Sequence, residues 1–561
     1  MNRPLSMLRF TSRSAWIHVL MMAFSISAVR AELRQADVII YGGTSSGIAA
    51  AVQVTRMGKT VIVAEPSHHL GGLTTGGLGQ TDIGNKVVIG GIAREFYQEI
   101  KRIYADDARW KFQKRSDYRH GSLSPKDDAQ WTFEPHVASE VYAGWTTQNK
   151  MQVFTGQRLV LTKNQGVKMQ GGRIQQIVME SGDVFAGKMF IDASYEGDLL
   201  AMAGVKYTVG REANAQYGET VNGVQAKGAH SHQFGGFIDP YVKKGDATSG
   251  LLPGIDANGP GIEGAGDQRV QAYCFRMCLT NAPENRLPIE KPAGYNERDY
   301  EMLLRYAESD FYTAPAAKYD PMPNAKTDTN NSGAVSTDFI GQNYAYPDGS
   351  YQERAAIIER HRVYQLGYLW TLQNHPRLPD RLKQFYRQWG LPKDEFQKTD
   401  HWTPQLYIRE ARRMVGAVVM TQKHCEGRDV VADSVGMGAY NMDSHHVQRY
   451  VDEKGGVRNE GDIQLRVPPY PISYRAIIPR KEECENLLVP ICLSASHMAF
   501  GSIRMEPVFM VLGQSSATAA CLAIDAGVAL SALDYPTLQK RLLADGQVLE
   551  YKKPATSKEK K

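Results

Sequence analysis

The sequence predicts an α/β fold: a parallel sheet with helices packed on it, interrupted by a long α+β insertion. Three observations predict it. A short apolar strand, Asp37–Tyr41, runs straight into the glycine-rich turn Gly42-Gly43-Thr44-Ser45-Ser46-Gly47 and an alanine-rich helix. A second strand, Thr60–Ala64, ends in the acid Glu65. A further strand–turn–helix piece appears near residues 187–204, and another only after residue 486, so the parts of the sheet lie far apart in the chain.

The 561 residues are 42% hydrophobic and 22% charged, a globular balance that excludes a disordered, collagen-like or coiled-coil chain. The net charge of +5 sits at the ends. Residues 1–31 hold four arginines and no acid, and residues 551–561 hold five lysines and one glutamate, which leaves a body of −3. A nucleic-acid partner needs a concentrated basic face, so none is expected.

In chain order, the first segment reads as an export signal. Arg3, Arg9 and Arg13 precede the charge-free stretch 14–29, and Val29-Arg30-Ala31 offers small residues to a signal peptidase. That stretch is shorter than the roughly 20 residues that span a bilayer. The expectation is cleavage near Ala31, a periplasmic or secreted protein, and no other segment apolar enough to cross a membrane. Six cysteines are too few to scaffold a chain of this size, so Cys274 and Cys278 read as packing residues before a redox pair. No Cys/His spacing reads as a metal site.

The first βαβ unit explains itself physically. Gly42 permits the tight turn, and Gly47 lets the helix lie close to the strand. The free N–H groups at the helix start, with the helix dipole, suit a pyrophosphate. Glu65 can accept hydrogen bonds from a ribose. Thr44 departs from the pattern where a second glycine is usual, and its side chain would either narrow the approach or donate to phosphate. A second glycine cluster, His69-Leu70-Gly71-Gly72-Leu73-Thr74, lets backbone lie against a bulky cofactor, which points to FAD rather than NAD.

The later elements are read in the same way. Residues 153–161, 166–169 and 173–180 look like a three-stranded meander. The strand 187–192 leads into Ala193, Ser194 and a helix over Leu199–Gly204. Residues 486–494 form a strand and turn, and Met505-Glu506-Pro507 opens a helix to about Ala526, with Pro507 suited to its first position. No second strand–GxGxxG–helix unit is present, so electrons must leave to oxygen, a quinone or a protein acceptor.

Together these pieces resemble the FAD-dependent oxidoreductases of the glutathione-reductase-like fold, and more narrowly a bacterial "FAD-dependent oxidoreductase", xanthan lyase-like group. Its telling stretches are Tyr41–Ala51, His69–Gly76, Phe133-Glu134-Pro135-His136, Tyr407–Met414, Tyr440–His445 and Ser494–Pro507. The resemblance implies a discontinuous FAD-binding domain (36–214 and 481–535) with an inserted α+β substrate or cap domain (215–480). The signal (1–31) and a basic tail (551–561) flank them. It implies that Gly42, Gly43, Thr44, Ser45, Ser46 and Gly47 hold the pyrophosphate and Glu65 the ribose. Gly71, Gly72, Leu73 and Thr74 would line the flavin side, and Ala193, Ser194 and Asp198 would lie along the cofactor. His68 and His69 stand near where some relatives attach flavin covalently, but a non-bonded histidine fits the spacing better.

Residues 245–266 and 311–350 are turn-rich, while 353–372 and 406–420 read as helices, the second carrying Arg409, Arg412 and Arg413 as surface or packing arginines. Hydride transfer needs a base for the accompanying proton, and histidine suits that work near neutral pH. His497 is the leading candidate. Arg504 is expected either to steady negative charge or to pair with Glu506. Arg276, Tyr440, Asn441 and His445 are candidate substrate contacts. The expected function is an exported FAD-dependent oxidoreductase acting on a small or carbohydrate-like organic substrate. The rivals are a lyase or isomerase without net redox, and a non-catalytic binding component of polysaccharide utilisation.

Overall fold

The computed structural model describes Met1 and residues 32–119, 127–312 and 317–552. The expected signal beyond Met1 and the basic tail beyond residue 552 lie outside the described residues. Seven strands form the main sheet: β1 (Leu33–Tyr41), β2 (Val61–Glu65), β3 (Gln152–Thr155), β4 (Val167–Gln170), β5 (Arg173–Val178), β6 (Val184–Asp192) and β7 (Leu487–Leu488). β1 is central and parallel to β2 on one side and β6 on the other, with β3 parallel to β2 at the edge. Val38, Ile39, Ile40 and Tyr41 are fully buried, as a continuous apolar run must be when both faces of a parallel strand are covered.

β6 forks. Its first residues, Val184–Ala186, pair with antiparallel β5, which pairs with β4. Its last residues, Phe190 and Ile191, pair in parallel with β7, nearly 300 residues later in the chain. This corrects the expected meander. Residues 153–161 are not one of its strands: β3 belongs to the parallel edge, and Leu159 reaches the meander by a single bridge to Met179. Gly156, at φ +70°, turns the chain between the two.

Two helices complete the cofactor half. α1 (Ser45–Arg56) crosses the final long helix, Glu506–Ala526, at Gly513, where a Cβ would stand 2.3 Å from the Ser46 carbonyl oxygen. That late helix is long and apolar enough to cross a membrane, contrary to the expectation that only the signal is, but 89% of its apolar window is buried. It is a core helix. Glu506 is its first residue and Met505 its cap, so Pro507 occupies the second helical position, not the first.

A second core lies between residues 238 and 457, where Tyr300 and Leu303 pack with Tyr368 and Leu372 of the helix Tyr351–Asn374. Ser350 and Glu353 start that helix with a reciprocal capping box. The helix expected over 406–420 is absent. Leu406–Tyr407 is a strand against Cys274–Phe275, and Arg413–Met414 one against Tyr207–Thr208. Arg409, Arg412 and Arg413 are buried, each meeting an acid from elsewhere in the chain, and those tertiary pairs override local helix propensity. All six cysteines are buried free thiols, Cys274 and Cys278 included.

Candidate active site

The glycine turn between β1 and α1 is tightly determined. A Cβ on Gly47 would stand 2.0 Å from the Gly42 carbonyl oxygen, so the helix reaches this close only with glycine there. Thr44 caps α1: its hydroxyl accepts from the Gly47 N–H at 3.3 Å and donates to the Ala193 carbonyl at 2.8 Å. Its hydroxyl is therefore engaged with the turn after β6. Ser46 Oγ is buried at the first turn with no partner. An orphaned hydroxyl beside free helix-start N–H groups is what a phosphate oxygen satisfies, so these residues fit a pyrophosphate.

Glu65, at the tip of β2, accepts from the Gly43 N–H at 2.6 Å and the Ser67 N–H at 2.7 Å. Burial pushes its carboxyl upward against those bonds. Gly71 donates to the Gly43 carbonyl at 2.7 Å and so ties the second glycine cluster to the first turn. Gly72 lies where a Cβ would sit 2.3 Å from the Tyr195 hydroxyl, and that hydroxyl accepts from the Leu73 N–H at 2.9 Å. Ser194 donates to Asp192 at 2.6 Å, shaping the turn after β6. The Asp198 carboxylate is held by Arg354 and Arg412, at 2.7 Å from each, which commits it to the insertion rather than to a groove along the sheet. His69 Nε2 is engaged with Thr75 and the Gly72 carbonyl, and burial lowers its basicity.

Glu506 is the feature the sequence concealed. It does not pair with Arg504. Its carboxyl is buried and met only by hydroxyls: Ser45 at 2.5 Å, Thr74 at 2.7 Å and Tyr195 at 2.7 Å. Burial raises its pKa, the three hydroxyls oppose the rise only in part, and no cation among the described residues stands against it. The junction of the two glycine clusters is thus closed by a carboxyl that holds its proton more tightly than one in water.

A second constellation surrounds Tyr407. Three guanidinium groups surround the Tyr407 ring: Arg409 at 4.7 Å, Arg504 at 5.5 Å and Arg276 at 5.9 Å from its centroid. Arg504 also donates to the Tyr407 hydroxyl. Each arginine already holds an aspartate: Arg276 with Asp328 at 2.6 Å, Arg409 with Asp338 at 2.9 Å, Arg504 with Asp443 at 3.2 Å. His445 sits between two of these acids, Nδ1 2.7 Å from Asp338 and Nε2 3.7 Å from Asp443. Tyr440 donates to Asp82 at 3.2 Å, and Asp82 lies 3.4 Å from Arg276. Asp82, ahead of burial, holds that phenol firmly protonated. Asn441 stands half-buried beside Tyr440.

The structure therefore gathers Arg276, Tyr440, His445 and Arg504, and adds Tyr407, Arg409, Asp82, Asp338 and Asp443, which sequence reasoning missed. The alternation Tyr407-Ile408-Arg409 was the available signal, since a strand places both side chains on one face. His497 belongs to a neighbouring network. Its Nδ1 is 2.7 Å from Glu410, its backbone N–H donates to Glu212 at 2.9 Å, and Arg413 ties the two acids together. Burial alone would raise Glu410, but His497 and Arg413 hold it down to about 2. A third cluster, Glu134, His136, Asp394 and Glu395, has the spacing of a metal site but is filled by the Lys326 ammonium, 2.7 Å from Glu134 and Asp394 and 2.8 Å from Glu395.

A parallel sheet, a glycine turn with an orphaned hydroxyl and a charged second constellation define a dinucleotide-binding α/β enzyme. The chain belongs to the FAD dependent oxidoreductase family, whose model matches residues 37–542. FAD is its cofactor and redox chemistry its class. No curated protein matches the sequence. Similar solved structures include an L-amino acid deaminase from Proteus vulgaris, at 16% identity over 32% of this chain and 53% of that one, with a TM-score of 0.24. A 3-ketosteroid-delta4-(5alpha)-dehydrogenase from Rhodococcus jostii RHA1 shows 12% identity over 34% and 58%, with a TM-score of 0.21. A flavin monooxygenase from Stenotrophomonas maltophilia shows 15% over 32% and 41%, with a TM-score of 0.19. The chain thus spans between two fifths and three fifths of the length of these three.

Proposed function

We propose that this protein is an exported FAD-dependent oxidoreductase that oxidises a small, neutral, hydroxylated substrate, with residues 215–480 as a cap inserted into a glutathione-reductase-like FAD-binding domain. Bound FAD supplies the hydride acceptor. Gly42–Gly47 hold the pyrophosphate, and Glu65 takes the ribose. The observation that carries the substrate class is the pairing around Tyr407. Every arginine there is already neutralised, so the constellation has no spare positive charge for an anionic substrate. Asp82 and Asp443 are its more open members, with side chains 23% and 20% exposed against 2% for Arg276 and Arg504. Carboxylates accept hydrogen bonds from hydroxyl groups, and Tyr440 and Asn441 stand beside them.

His497 is the proton acceptor of this reading. Glu410 fixes the Nδ1–H tautomer, and Nε2 has no partner among the described residues, whereas both nitrogens of His445 face carboxylates. Oxygen, a quinone or a carrier protein takes the electrons.

Anaerobic titration tests the proposal. Sugars and polyols are expected to bleach the flavin stably, and amino acids and other charged compounds to leave it oxidised. Bleaching only by carboxylates would overturn the substrate class. His497→Asn is expected to slow single-turnover flavin reduction about 100-fold or more with little change in substrate affinity. An unchanged rate would remove the base assignment.

A further inference from the structure

The insertion contains another cavity, of about 250 Å³, lined by Gly254, Ile255, Asp256, Gln342, Gln448 and Arg449. None of these belongs to the Tyr407 constellation. A narrow cleft continues from it, sharing Gly254, Gln342 and Arg449 and adding Arg298 and Arg360 at the rim.

Arg449 sets the character of the cavity. It is 8% exposed, and its guanidinium donates to Asn459 at 2.8 Å and to the Ala334 carbonyl at 2.9 Å. The Phe234 ring lies 6.0 Å away. No carboxylate stands within ion-pair distance of it among the described residues. The contrast with the other deeply buried arginines is complete: Arg211, Arg276, Arg354, Arg409, Arg413 and Arg504 each hold an acid. A buried guanidinium without a counter-ion costs several kcal/mol, and burial duly lowers Arg449 to about 10. Among the described residues Arg298 and Arg360 also lack ion pairs. The acids nearby do not correct the imbalance, since Asp256 is paired with Arg269 at 3.2 Å and Asp299 faces Arg360. A second unmet group points the same way: Gln448 Oε1 is buried with no donor.

We propose that this cavity is a binding site for a small hydroxylated carboxylate, its carboxylate on the free edge of Arg449 and a hydroxyl donating to Gln448. The site stands apart from the oxidation chemistry and holds whether or not the substrate class above is right.

Calorimetry on the FAD-loaded protein tests it with three probes: D-gluconate, D-glucitol, which keeps the hydroxylated skeleton without the carboxylate, and inorganic sulfate. Gluconate is expected to bind once per chain, and glucitol about 100-fold more weakly, the loss that follows from removing one partner of a buried charge pair. Arg449→Gln is expected to abolish gluconate binding with flavin absorbance unchanged. Arg360→Gln, a surface change that leaves the fold alone, is expected to weaken it several-fold and flatten its salt dependence. Equal binding of glucitol, or gluconate binding unaltered in both variants, overturns the site. Sulfate binding as tightly as gluconate overturns the ligand class in favour of a bare oxyanion.

Discussion

The two halves of the molecule bury acids in opposite ways. At the cofactor end, Glu506 is enclosed by three hydroxyls and no cation, and its pKa rises. Around Tyr407, Asp338 is equally buried, but Arg409 and His445 outweigh its burial and force its pKa far down. The difference is one of pairing: Glu506 is met by neutral donors alone, while the acids around Tyr407 are cancelled one by one by cations.

The sharpest way to break this contrast is to unpair the cap. Asp338→Asn leaves Arg409 and His445 with no acid at that point, and a broken buried pair costs about 3–5 kcal/mol. Urea unfolding at pH 7 is expected to show that loss, and a change below about 1 kcal/mol would mean that the pairs do not hold the cap together.

Asp462 sharpens the comparison from within the cap, because it breaks the local rule. It is buried, accepts only from Gln464 at 3.2 Å, and is pushed by burial to about 7 although His445 pulls it down. A carboxyl raised above its unfolded value favours the folded state at low pH, and that contribution drains away as pH climbs from about 4 through 7. Asp462→Asn is therefore expected to flatten the pH dependence of stability, with a gain over the parent of on the order of 4 kcal/mol by pH 8 and none at pH 4. Parallel stability curves for the two proteins would show that Asp462 is already neutralised by another group.

The smallest effect is expected at the cofactor end. Glu506→Gln keeps the shape of the side chain, so unfolding at low pH is expected to change by under about 1 kcal/mol. As pH rises the variant is expected to retain flavin better than the parent, because only the parent can acquire a negative charge. Dialysis followed by flavin absorbance measures this, and equal retention at every pH would place Glu506 away from the phosphates.

The glycine turn between β1 and α1 was legible because its logic is local: strand, glycines, helix and acid follow one another within 30 residues. The helix Glu506–Ala526 was legible from its own composition. The stretch 406–420 was not, because its conformation is set by partners far off in sequence. Arg413 meets Glu212 about 200 residues away, and Arg412 meets Asp198 across a similar gap. Arg504 and Glu506 illustrate the same limit. Two residues apart, they invite an ion pair, but Met505 between them caps a helix, so one side chain turns to Asp443 and the other to Ser45. The bond from Thr44 to the Ala193 carbonyl was hidden too, because a sequence does not show which way a side chain turns.

The fork in β6 governs when such a molecule can become functional. One prong is local and can close as soon as residues 167–192 have been made, but the other waits for Leu487 and Leu488. Glu506, which seals the glycine turn, comes later still. A growing chain therefore passes through a long interval with an open sheet edge and no completed receptacle, the stage at which mispairing and aggregation threaten. A product truncated before residue 487 is therefore expected to lack the strand that completes the sheet beside Phe190 and Ile191.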